Sequence, residues 1–578
     1  MTSIEGFEGE IERVDDIPLL FGLLQQMGIQ SILDKGIQPH GNWQGLSPGW
    51  VVTVWLIHIL SEQNHLMEPV QMWVQEHLTT LRRLTGQTVE VLDFTDDRLA
   101  LCLEYIYGKA TWQTIEADLG IRLIRIYDLD TSVLRLDATV GTVQHEPGQQ
   151  HKLFKVGKAK NGLYETQFKM MLASLDPLGL TLVVDVLPGN QADDPLYVPS
   201  YARAKTILKR TGVLVVGDSK MSALATRATI VAGQDHYLTP LADLKDEPGL
   251  LTELLEPWQG REAKATRIFL PKDIPADGRE ADLKQALAYG FEVSRPRQAT
   301  VKGRTITWEE RLLVIRSFSY VQTMQASLRR HVEQAEAELR NLTPTRQRGK
   351  RQIQDEASLL AAIAQIEKKY RVQGLFDIDY QSEVEERSLR AYQDKPPRVE
   401  RTVRYHLNVK RNEAAIATAE FQAGWRIYAT NAPVDKLALT QAVLAYREQY
   451  IEENVFRRLQ GKFLSITPLY IQRDDHAEGL FHLLTIGARV LALGDYLAQQ
   501  ALAKENAVLT GVYAGNSKRG TARPTTERML KAFEGINLLI IPSAAQPSYY
   551  LTRLSAVQER ILALLGLSRS LYTALQTG

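Results

Sequence analysis

The runs VLRLDATV (133–140) and VLVVGD (213–218) decide the fold, because each is a short, β-branched apolar stretch that carries an aspartate. TQFKMMLASLD (166–176) and GLTLVVDVLPGN (179–190) lie between them and have the same character. Gly, Pro and Asp bound these runs, as is typical of buried strands. Helical patterns precede and follow VLVVGD, and HYLTPL (236–241) predicts one more strand. Three meander strands followed by strand–helix units therefore predict an α/β sheet.

The stretch before this sheet has helical periodicity. From Ile17 to Tyr107, apolar residues recur at the spacing of amphipathic helices. Its few basic residues, chiefly Arg82 and Arg83, leave two interpretations open. The helices could contact DNA, or they could form a bundle whose only role is packing.

The stretch after the sheet, from Leu241 to Gly424, breaks the pattern and predicts an inserted domain. We expect two charged helices in it, near Val321 to Leu342 and Asp355 to Tyr370. We also expect five short strands, which are ATRIFLP, GFEVSRP, RLLVIRS, RTVRYHLNV and AAIATAEF. A basic cluster lies in the link between the helices, where it could be part of a solvated loop; it consists of Arg346, Arg348, Lys350 and Arg351.

Beyond the insertion, WRIYATN (425–431) predicts that the sheet resumes. A long helix is expected from about Asp435 to Gln460, and helical patterns continue to the C-terminus. The chain thus predicts a sheet that is interrupted once by a large insertion and flanked by helical regions.

The composition limits the classes of function. The chain has 578 residues, of which 44 % are hydrophobic and 24 % charged, and this excludes collagen-like and largely disordered proteins. Lys and Arg total 68, as do Asp and Glu, so DNA binding driven by net charge is excluded and would need local basic patches. The single cysteine, Cys102, can form neither an intramolecular disulfide nor a cysteine-based zinc site. Any metal would therefore bind to oxygen ligands.

The sequence also indicates where the protein works. Its best apolar run, Trp50 to Leu60, is too short to cross a bilayer, and the start MTSIEGFEGEIE lacks the pattern of a signal peptide. One cysteine fits a reducing compartment. We therefore expect a soluble, cytoplasmic protein with no membrane partner.

Two aspartates in the strand runs are candidates for chemistry. Asp137 lies within LRLDATV, and Asp218 ends VLVVGD. A carboxylate in or at the end of an apolar strand loses solvation unless a positive charge compensates, and a divalent cation would do so. Taken alone, either aspartate could instead be a cap or turn residue.

The helix expected from Asp435 to Gln460 supplies a third acid. At about 100° per residue, one face of it would carry Glu453 but not Glu452. Tyr446, Gln449, Arg457 and Gln460 would share that face. Three carboxylates could hold two Mg²⁺ or Mn²⁺ ions for in-line phosphoryl transfer. Spacing alone is weak support, because 68 acids offer many such triplets.

Several ordered blocks make the sequence resemble a known family. They are LRLDAT, LPGNQADDP, VGDSKMSALATRA, WRIYATN and YREQYIEENVFRRLQGKFLSITPLYIQRDDHAEGLFHLLTIGARV. The chain resembles the DDE transposases of bacterial insertion sequences. It is most similar to the branch with a long β-rich insertion between the second aspartate and the glutamate. The resemblance spans most of the chain.

The resemblance implies roles for specific residues. The family signature after the insertion is Tyr, two residues, Arg, three residues, Glu, six residues and Lys; starting at Tyr446, it selects Glu453. Asp137, Asp218 and Glu453 would then be the catalytic carboxylates that hold two Mg²⁺ ions, for which Mn²⁺ can substitute. Tyr446 would face DNA near the cleaved end.

The chain departs from the signature at two positions. Gln449 occupies the position of the signature Arg, and Gln460 occupies the position of the signature Lys. Glutamine can hydrogen-bond phosphate, but without a charge-assisted bond. Arg457 and Lys462 are close enough in sequence to compensate in part, which makes them candidate DNA contacts. The alternative is a catalytically weak or inactive copy that still binds DNA ends.

The resemblance implies an α/β fold with an RNase H-like mixed sheet as its core. A helical N-terminal domain, a β-rich and helical insertion and a helical C-terminal region would surround it. The expected domains are 1–125 (helical, possible DNA-end binding), 126–241 and 424–500 (the two parts of the catalytic core), 242–423 (insertion) and 501–578 (C-terminal helices). The expected partners are inverted-repeat DNA ends, target DNA and a second copy of the chain. Cleavage and strand transfer would share one active site.

Three further segments have simpler interpretations. Asp193 and Asp194 are expected to cap the helix that Pro195 starts. The turn from Arg473 to His476 predicts a structural salt-bridge network and not a zinc site, because no His or Cys cluster lies nearby. The basic stretch GNSKRGTARPTTERMLKAF (515–533) could touch DNA or be only a loop.

Overall fold

The computed structural model of the chain describes residues 9–144, 151–159, 162–241, 247, 249–275, 279, 281–343, 353–389, 398–543 and 546–576. Contacts between Cα atoms divide the chain into two units. The first comprises residues 1–239, 296–308 and 445–578, and the second comprises 240–295 and 309–444.

The N-terminal part of the first unit is helical, as expected. One short strand, β1 (Glu10–Arg13), precedes seven helices. These are α1 (Ile17–Met27), α2 (Ile29–Gly36), α3 (Pro48–Glu62), α4 (Val70–Glu76), α5 (Leu78–Thr85), α6 (Asp96–Tyr107) and α7 (Lys109–Tyr127). Pro18 and Pro48 lie in the first turns of their helices, where the missing N–H costs nothing. Almost every residue of α1 and α3 is buried, so these two helices form the centre of the bundle.

The sheet of the first unit follows the helices. Its elements are β2 (Val133–Thr142), β3 (Lys155–Lys158), β4 (Tyr164–Leu175), β5 (Leu180–Pro188), α8 (Tyr197–Leu208), β6 (Leu214–Gly217), α9 (Leu224–Ala232) and β7 (His236–Pro240). The strand order is β3–β4–β2–β6–β7, and β5 pairs with β4. β2 runs antiparallel to β4 and parallel to β6, and β6 runs parallel to β7. The expected mixed, RNase H-like sheet is confirmed.

The start of α8 differs from the expectation. The helix begins at Tyr197, after a 3₁₀ turn that contains Pro195, and neither Asp193 nor Asp194 makes a side-chain capping bond. Asp193 instead forms an ion pair with Lys169 of β4. The capping prediction is wrong, because the carboxylate of Asp193 pairs with the ammonium group of Lys169 and not with a backbone N–H of the helix.

The second unit mixes strands and helices, as expected for the insertion. The elements from here to the return into the first unit are α10 (Leu250–Leu255), β8 (Thr266–Ile268), β9 (Ala288–Val301), β10 (Arg304–Ser317), α11 (Phe318–Arg340), α12 (Glu356–Tyr370), β11 (Phe376–Leu389), β12 (Arg398–Arg411), α13 (Glu413–Gln422), β13 (Trp425–Thr430) and α14 (Leu439–Arg447). The strands β13, β10, β9 and β8 are neighbours in that order, and β11 pairs with β12. α11 and α12 pack on this hairpin around a small apolar core that includes Leu339, Leu359 and Phe376.

Two features of the second unit differ from the expectations. AAIATAEF forms the helix α13 and not a strand, because the Asn412 side chain accepts a hydrogen bond from Ala415 N at 3.0 Å and alanine favours helices. The strand β11 was not anticipated. The basic cluster Arg346, Arg348, Lys350 and Arg351 lies outside the described residues.

The long helix expected from Asp435 to Gln460 is two helices, α14 and α15 (Tyr450–Gln460). Ala445 O, which would accept from Gln449 N in a continuous helix, accepts from Arg135 Nη2 at 2.7 Å instead. Gln449 N bonds one residue further along, to Tyr446 O at 3.2 Å. The arginine of β2 thus interrupts the helix immediately before the Glu453 segment.

The C-terminal region is not wholly helical. It contains α16 (Asp474–Lys504), α17 (Thr526–Lys531), β14 (Asn537–Ile541), β15 (Ser548–Leu551), α18 (Ala556–Leu564) and α19 (Ser570–Thr573). β14 pairs with both β1 and β15, which gives a small antiparallel sheet that joins the two ends of the chain.

The helix α16 is the longest and most deeply buried of the C-terminal elements. Its 31 residues are long and apolar enough to cross a bilayer, which the sequence analysis did not anticipate. However, 83 % of its most apolar window is buried inside the protein. Burial of this extent is what a core helix of a globular unit shows.

Candidate active site

Asp137 and Asp218 lie at the same edge of the sheet. β2 and β6 are parallel neighbours whose register runs from Val133 opposite Leu214 to Leu136 opposite Gly217. The next step of that register brings Asp137 level with Asp218, and adjacent strands are about 4.8 Å apart. The register thus places the two aspartates side by side, one step beyond the last paired residues.

The two aspartates are held differently. β2 continues beyond Asp137 to Thr142, and Asp137 Oδ1 accepts a hydrogen bond from Ala138 N at 2.8 Å. β6 ends at Gly217, and Asp218 opens a 3₁₀ turn in which its Oδ1 accepts from Lys220 N at 2.9 Å. Both residues are partly exposed, so a ligand from solvent can reach them.

Tyr197 is the residue of this edge that sequence reasoning missed. It is the first residue of α8, it is only 1 % exposed, and its hydroxyl donates a 2.5 Å hydrogen bond to Asp218 Oδ1. Burial raises the pKa of Tyr197, and the negative charges of Asp218, Asp137 and Asp193 raise it further. Three carboxylates thus act on one buried hydroxyl. The sequence signal was a tyrosine just after LPGNQADDP, which alone does not distinguish it from a packing residue.

Glu453 lies on α15. The helix buries Ile451, Val455 and Leu459, whereas Glu453 is exposed on the opposite face. The buried face packs closely against the turn between β4 and β5, where a Cβ on Gly179 would lie 3.2 Å from the side chains of Ile451 and Val455. Glycine at this turn, which has φ +67°, therefore lets the helix approach the sheet.

Two contacts set the position of α15 along β2. Just before α15 begins, Arg135 Nη2 bonds Ala445 O of α14 at 2.7 Å and lies 3.8 Å from Oε2 of Glu448, in the link between the helices. At its end, Gln460 Nε2 donates to Thr139 Oγ1 at 3.3 Å and to Val140 O at 3.2 Å.

Asp137 lies between the two contact points on β2, and Glu453 lies between Glu448 and Gln460 along the chain. The helix therefore runs alongside the strand in the same direction. Glu453 and Gln460 share its exposed face, and Gln460 reaches the side of the strand that also carries Asp137, because Thr139 is two residues further on.

The ligand oxygens of Asp137, Asp218 and Glu453 do not all lie within 4.8 Å of one another. The group in the described part of the chain that meets this distance is Glu104, Asp475 and His476. The chemistry of the three predicted residues still fits a hard divalent cation, because all three offer carboxylate oxygens and two of them are neighbours.

The ion pair beneath this edge is buried. Arg135, 1 % exposed, donates from Nε and Nη2 to the two carboxylate oxygens of Asp176 at 2.7 and 2.6 Å. Burial raises the pKa of Asp176, and the Arg135 guanidinium opposes that shift. The pair fixes the strand that carries Asp137 to the β4–β5 turn and to the start of the Glu453 segment.

The residues expected to contact DNA do not lie on one continuous helix. Tyr446 lies on α14, so the break between the helices separates it from Glu453. Gln449 is the N-cap of α15, and its carbonyl oxygen accepts a hydrogen bond from Glu453 N at 3.3 Å, so it lies one turn before Glu453. Arg457 and Lys462 are exposed and have no ion-pair partner among the described residues, whereas the Gln460 amide is bound to β2.

The turn from Arg473 to His476 forms the salt-bridge network that was expected. Arg473 Nη2 bonds Glu104 at 2.7 Å and Asp475 at 2.5 Å, and His476 Nε2 lies 3.1 Å from Glu104. Asp474 Oδ2 accepts from the backbone N–H groups of Lys152 and Leu153. Arg473 pairs with both acids of the group, so we interpret the group as structural.

Comparison with known proteins gives one family match. Residues 128–491, well over half of the chain, match the sequence profile of the family described as Transposase DDE domain. No curated protein sequence matches. A solved structure of the piggyBac transposase synaptic complex with hairpin DNA is 12 % identical, with a TM-score of 0.22 over 42 % of this chain and 56 % of that chain. The matched part thus spans about half the length of that relative.

Proposed function

Because the chain belongs to the family of transposase DDE domains, we propose that it binds the ends of its own insertion sequence, cleaves them and joins them to target DNA. The observation that carries the proposal is the pairing of β2 with β6, which makes Asp137 and Asp218 neighbours at one sheet edge. Adjacent carboxylates on neighbouring strands suit phosphoryl transfer, in which metal ions neutralise the charge of the reacting phosphate.

Each carboxylate has a role in the proposed reaction. Asp137, Asp218 and Glu453 would hold two Mg²⁺ ions, for which Mn²⁺ could substitute. When bound, such ions polarise the phosphate and activate the attacking hydroxyl. Tyr197 orients Asp218 through its hydrogen bond, and Gln460 fixes the helix that carries Glu453 to β2.

We propose that a further group of residues binds the DNA beside these carboxylates: Tyr446, Gln449, Arg457, Gln460 and Lys462. Arg457 and Lys462 are the cations of this group and are exposed. They would contact phosphates, which fix the register of the DNA without reading its sequence.

The proposed domains keep their predicted limits. Residues 126–241 and 424–500 would form the catalytic core, 242–423 the insertion, 1–125 a helical domain that could bind DNA ends, and 501–578 the C-terminal region. A homodimer would hold two inverted-repeat ends and the target DNA. We propose that the protein acts in the cytoplasm.

A second candidate function is DNA-end binding without efficient cleavage. The observation that favours it concerns Gln460, which stands where the family has a lysine. Its amide donates hydrogen bonds to Thr139 and Val140, and it adds no positive charge. In this case the chain would be a weakly active or inactive copy that still recognises its ends.

One experiment separates these candidates. The purified chain is incubated with labelled DNA that carries the sequences flanking its gene, with Mg²⁺, with Mn²⁺ or with EDTA. A transposase cuts the ends and produces joined strands in metal only, whereas an end-binding protein shifts the DNA and never cuts it. Cutting without joined products would indicate a nuclease, and the absence of both binding and cutting would contradict the proposal.

A further inference from the structure

A cavity of about 850 Å³ lies between α15, α16 and the segment that precedes α17. α15 contributes Tyr450, Asn454 and Arg457 to its lining, and α16 contributes Tyr496. Arg523 comes from the basic stretch at 515–533, to which the sequence alone could assign no role. All of these residues belong to the first unit.

Arg458 pairs with two of the three acids that line the cavity, and the third, Glu448, lies 3.8 Å from the guanidinium of Arg135. Arg458 Nη2 bonds Asp495 at 2.5 Å, and its Nε bonds Glu527 at 2.8 Å. Asp495 also accepts a hydrogen bond from Thr526 N at 2.6 Å. Arg458 therefore joins α15 to α16 and α17. The lining as a whole carries four cations and three acids, so its formal charge is positive by one.

Three cations of the lining remain without an acidic partner. Arg457, Lys462 and Arg523 are exposed, and none of them forms an ion pair within the described ranges. Lys518 and Arg519 of the same basic stretch are also exposed and also lack a carboxylate partner in the part of the chain that the structure describes. The net charge of the whole chain is zero, so this is a local positive surface.

Aromatic and amide side chains accompany the cations. Tyr450 is 50 % exposed, and Tyr496 and Gln500 lie on the facing helix. Exposed aromatic rings between spaced cations are typical of surfaces that bind a nucleic acid strand, because the cations contact phosphates and the rings stack on bases. A single small anion would need only one or two of these groups.

We propose that this cavity binds the backbone of the DNA strand that leads away from the cleaved bond. The inference rests on the proposed function and extends it to the C-terminal segment around Arg523. Arg457 connects the two sites, because it lies one turn after Glu453 on the same exposed face of α15.

The test measures the salt dependence of DNA binding. The wild-type chain, Lys462→Gln/Arg523→Gln and a matched control, Arg125→Gln/Arg553→Gln, are titrated with a fluorescein-labelled DNA duplex of arbitrary sequence at several salt concentrations. The control removes the same charge at two exposed arginines that have no acidic partner within the described residues. Thermal melting verifies that all three proteins are folded.

The cavity variant, Lys462→Gln/Arg523→Gln, should bind DNA more weakly than the control. Its slope of log K against log salt should also be shallower by about 2, because each phosphate contact contributes about 0.9. Equal slopes for the cavity variant and the control would overturn the inference. Metal-dependent cleavage by the wild type is measured in parallel. A slope difference without any cleavage would support DNA binding in the cavity and contradict the proposed function. Cleavage with equal slopes would contradict DNA binding in the cavity and leave the proposed function intact.

Discussion

The hydroxyl of Tyr197 donates a 2.5 Å hydrogen bond to Oδ1 of Asp218, at the edge where Asp218 and Asp137 are neighbours. A hydrogen bond to a carboxylate fixes its orientation and can tune its affinity for a metal ion. The same helix carries a second tyrosine–aspartate pair, in which Tyr201 donates to Asp235 at 2.6 Å. The two pairs provide a matched comparison.

Tyr197→Phe should weaken metal use more than it weakens the fold. Loss of the hydrogen bond leaves Asp218 less well oriented, and we expect half-maximal cleavage to require roughly tenfold more Mg²⁺. Tyr201→Phe should lower the melting temperature by a similar amount without changing the Mg²⁺ requirement. An equal Mg²⁺ requirement for both variants would mean that Tyr197 only packs.

The buried pair of Arg135 and Asp176 should be important for stability. Asp176→Ala leaves the Arg135 guanidinium, 1 % exposed, without its partner, and we expect a loss of about 3 to 5 kcal/mol in the free energy of unfolding. Asp118→Ala removes the partner of the exposed Lys35 and should cost less than about 1 kcal/mol. Urea denaturation measures both, and similar losses would contradict the account of the buried pair.

Gln460→Lys should restore a cation near the DNA. The lysine should strengthen end binding and steepen the slope of log K against log salt by about 0.9, which is the effect of one more phosphate contact. Gln87→Lys adds the same charge on the exposed loop after α5 and serves as the control. If both variants give the same slope, position 460 does not face a phosphate.

The fold should lose stability in acid partly through His482. This imidazole stacks on Trp112 with 4.1 Å between ring centroids, and burial lowers its pKa from 6.5 to about 3. The unfolded chain therefore takes up a proton below pH 6.5 that the folded chain does not, so stability is present above that pH and is lost as the pH falls. At pH 4 the loss is about 3 kcal/mol.

His482→Phe keeps the stacking but does not titrate, so its melting temperature should fall less steeply between pH 6.5 and pH 4 than that of the wild type. His406→Phe, at a side chain that is 65 % exposed, is the control and should leave the slope unchanged. An unchanged slope for His482→Phe would indicate that the histidine does not remain neutral in the fold.

The sheet could be predicted from the sequence because each of its strands corresponds to a continuous run of apolar, β-branched residues. β2, β4, β5, β6 and β7 all fall within two residues of the expected runs. It failed where a distant contact decides the local structure. The break between α14 and α15 depends on Arg135, which is more than 300 positions away, and no periodicity within YREQYIEENVF reveals it.

In the candidate site, too, some residues could be predicted from the sequence and others could not. Asp137 and Asp218 could be found because each is an acid within or directly after an apolar strand, and the family signature selected Glu453. Tyr197 and Thr139 could not be found, since each acts through a side-chain hydrogen bond to a residue of another element, 21 and 321 positions away. Side-chain pairing across elements is a property of the packed fold, and one sequence does not contain a direct signal for it.

The measurement that tests the central claim most directly is metal-dependent cleavage of labelled element ends by Asp137→Asn, Asp218→Asn and Glu453→Gln. Each substitution removes a charged oxygen ligand with little change in volume. Glu452→Gln, at the adjacent acid that falls outside the family signature, is the matched control. We predict that the three variants bind the ends and do not cut them, whereas the control cuts as the wild type does. Cleavage at the wild-type rate by any of the three would contradict the assignment of that residue to the active site.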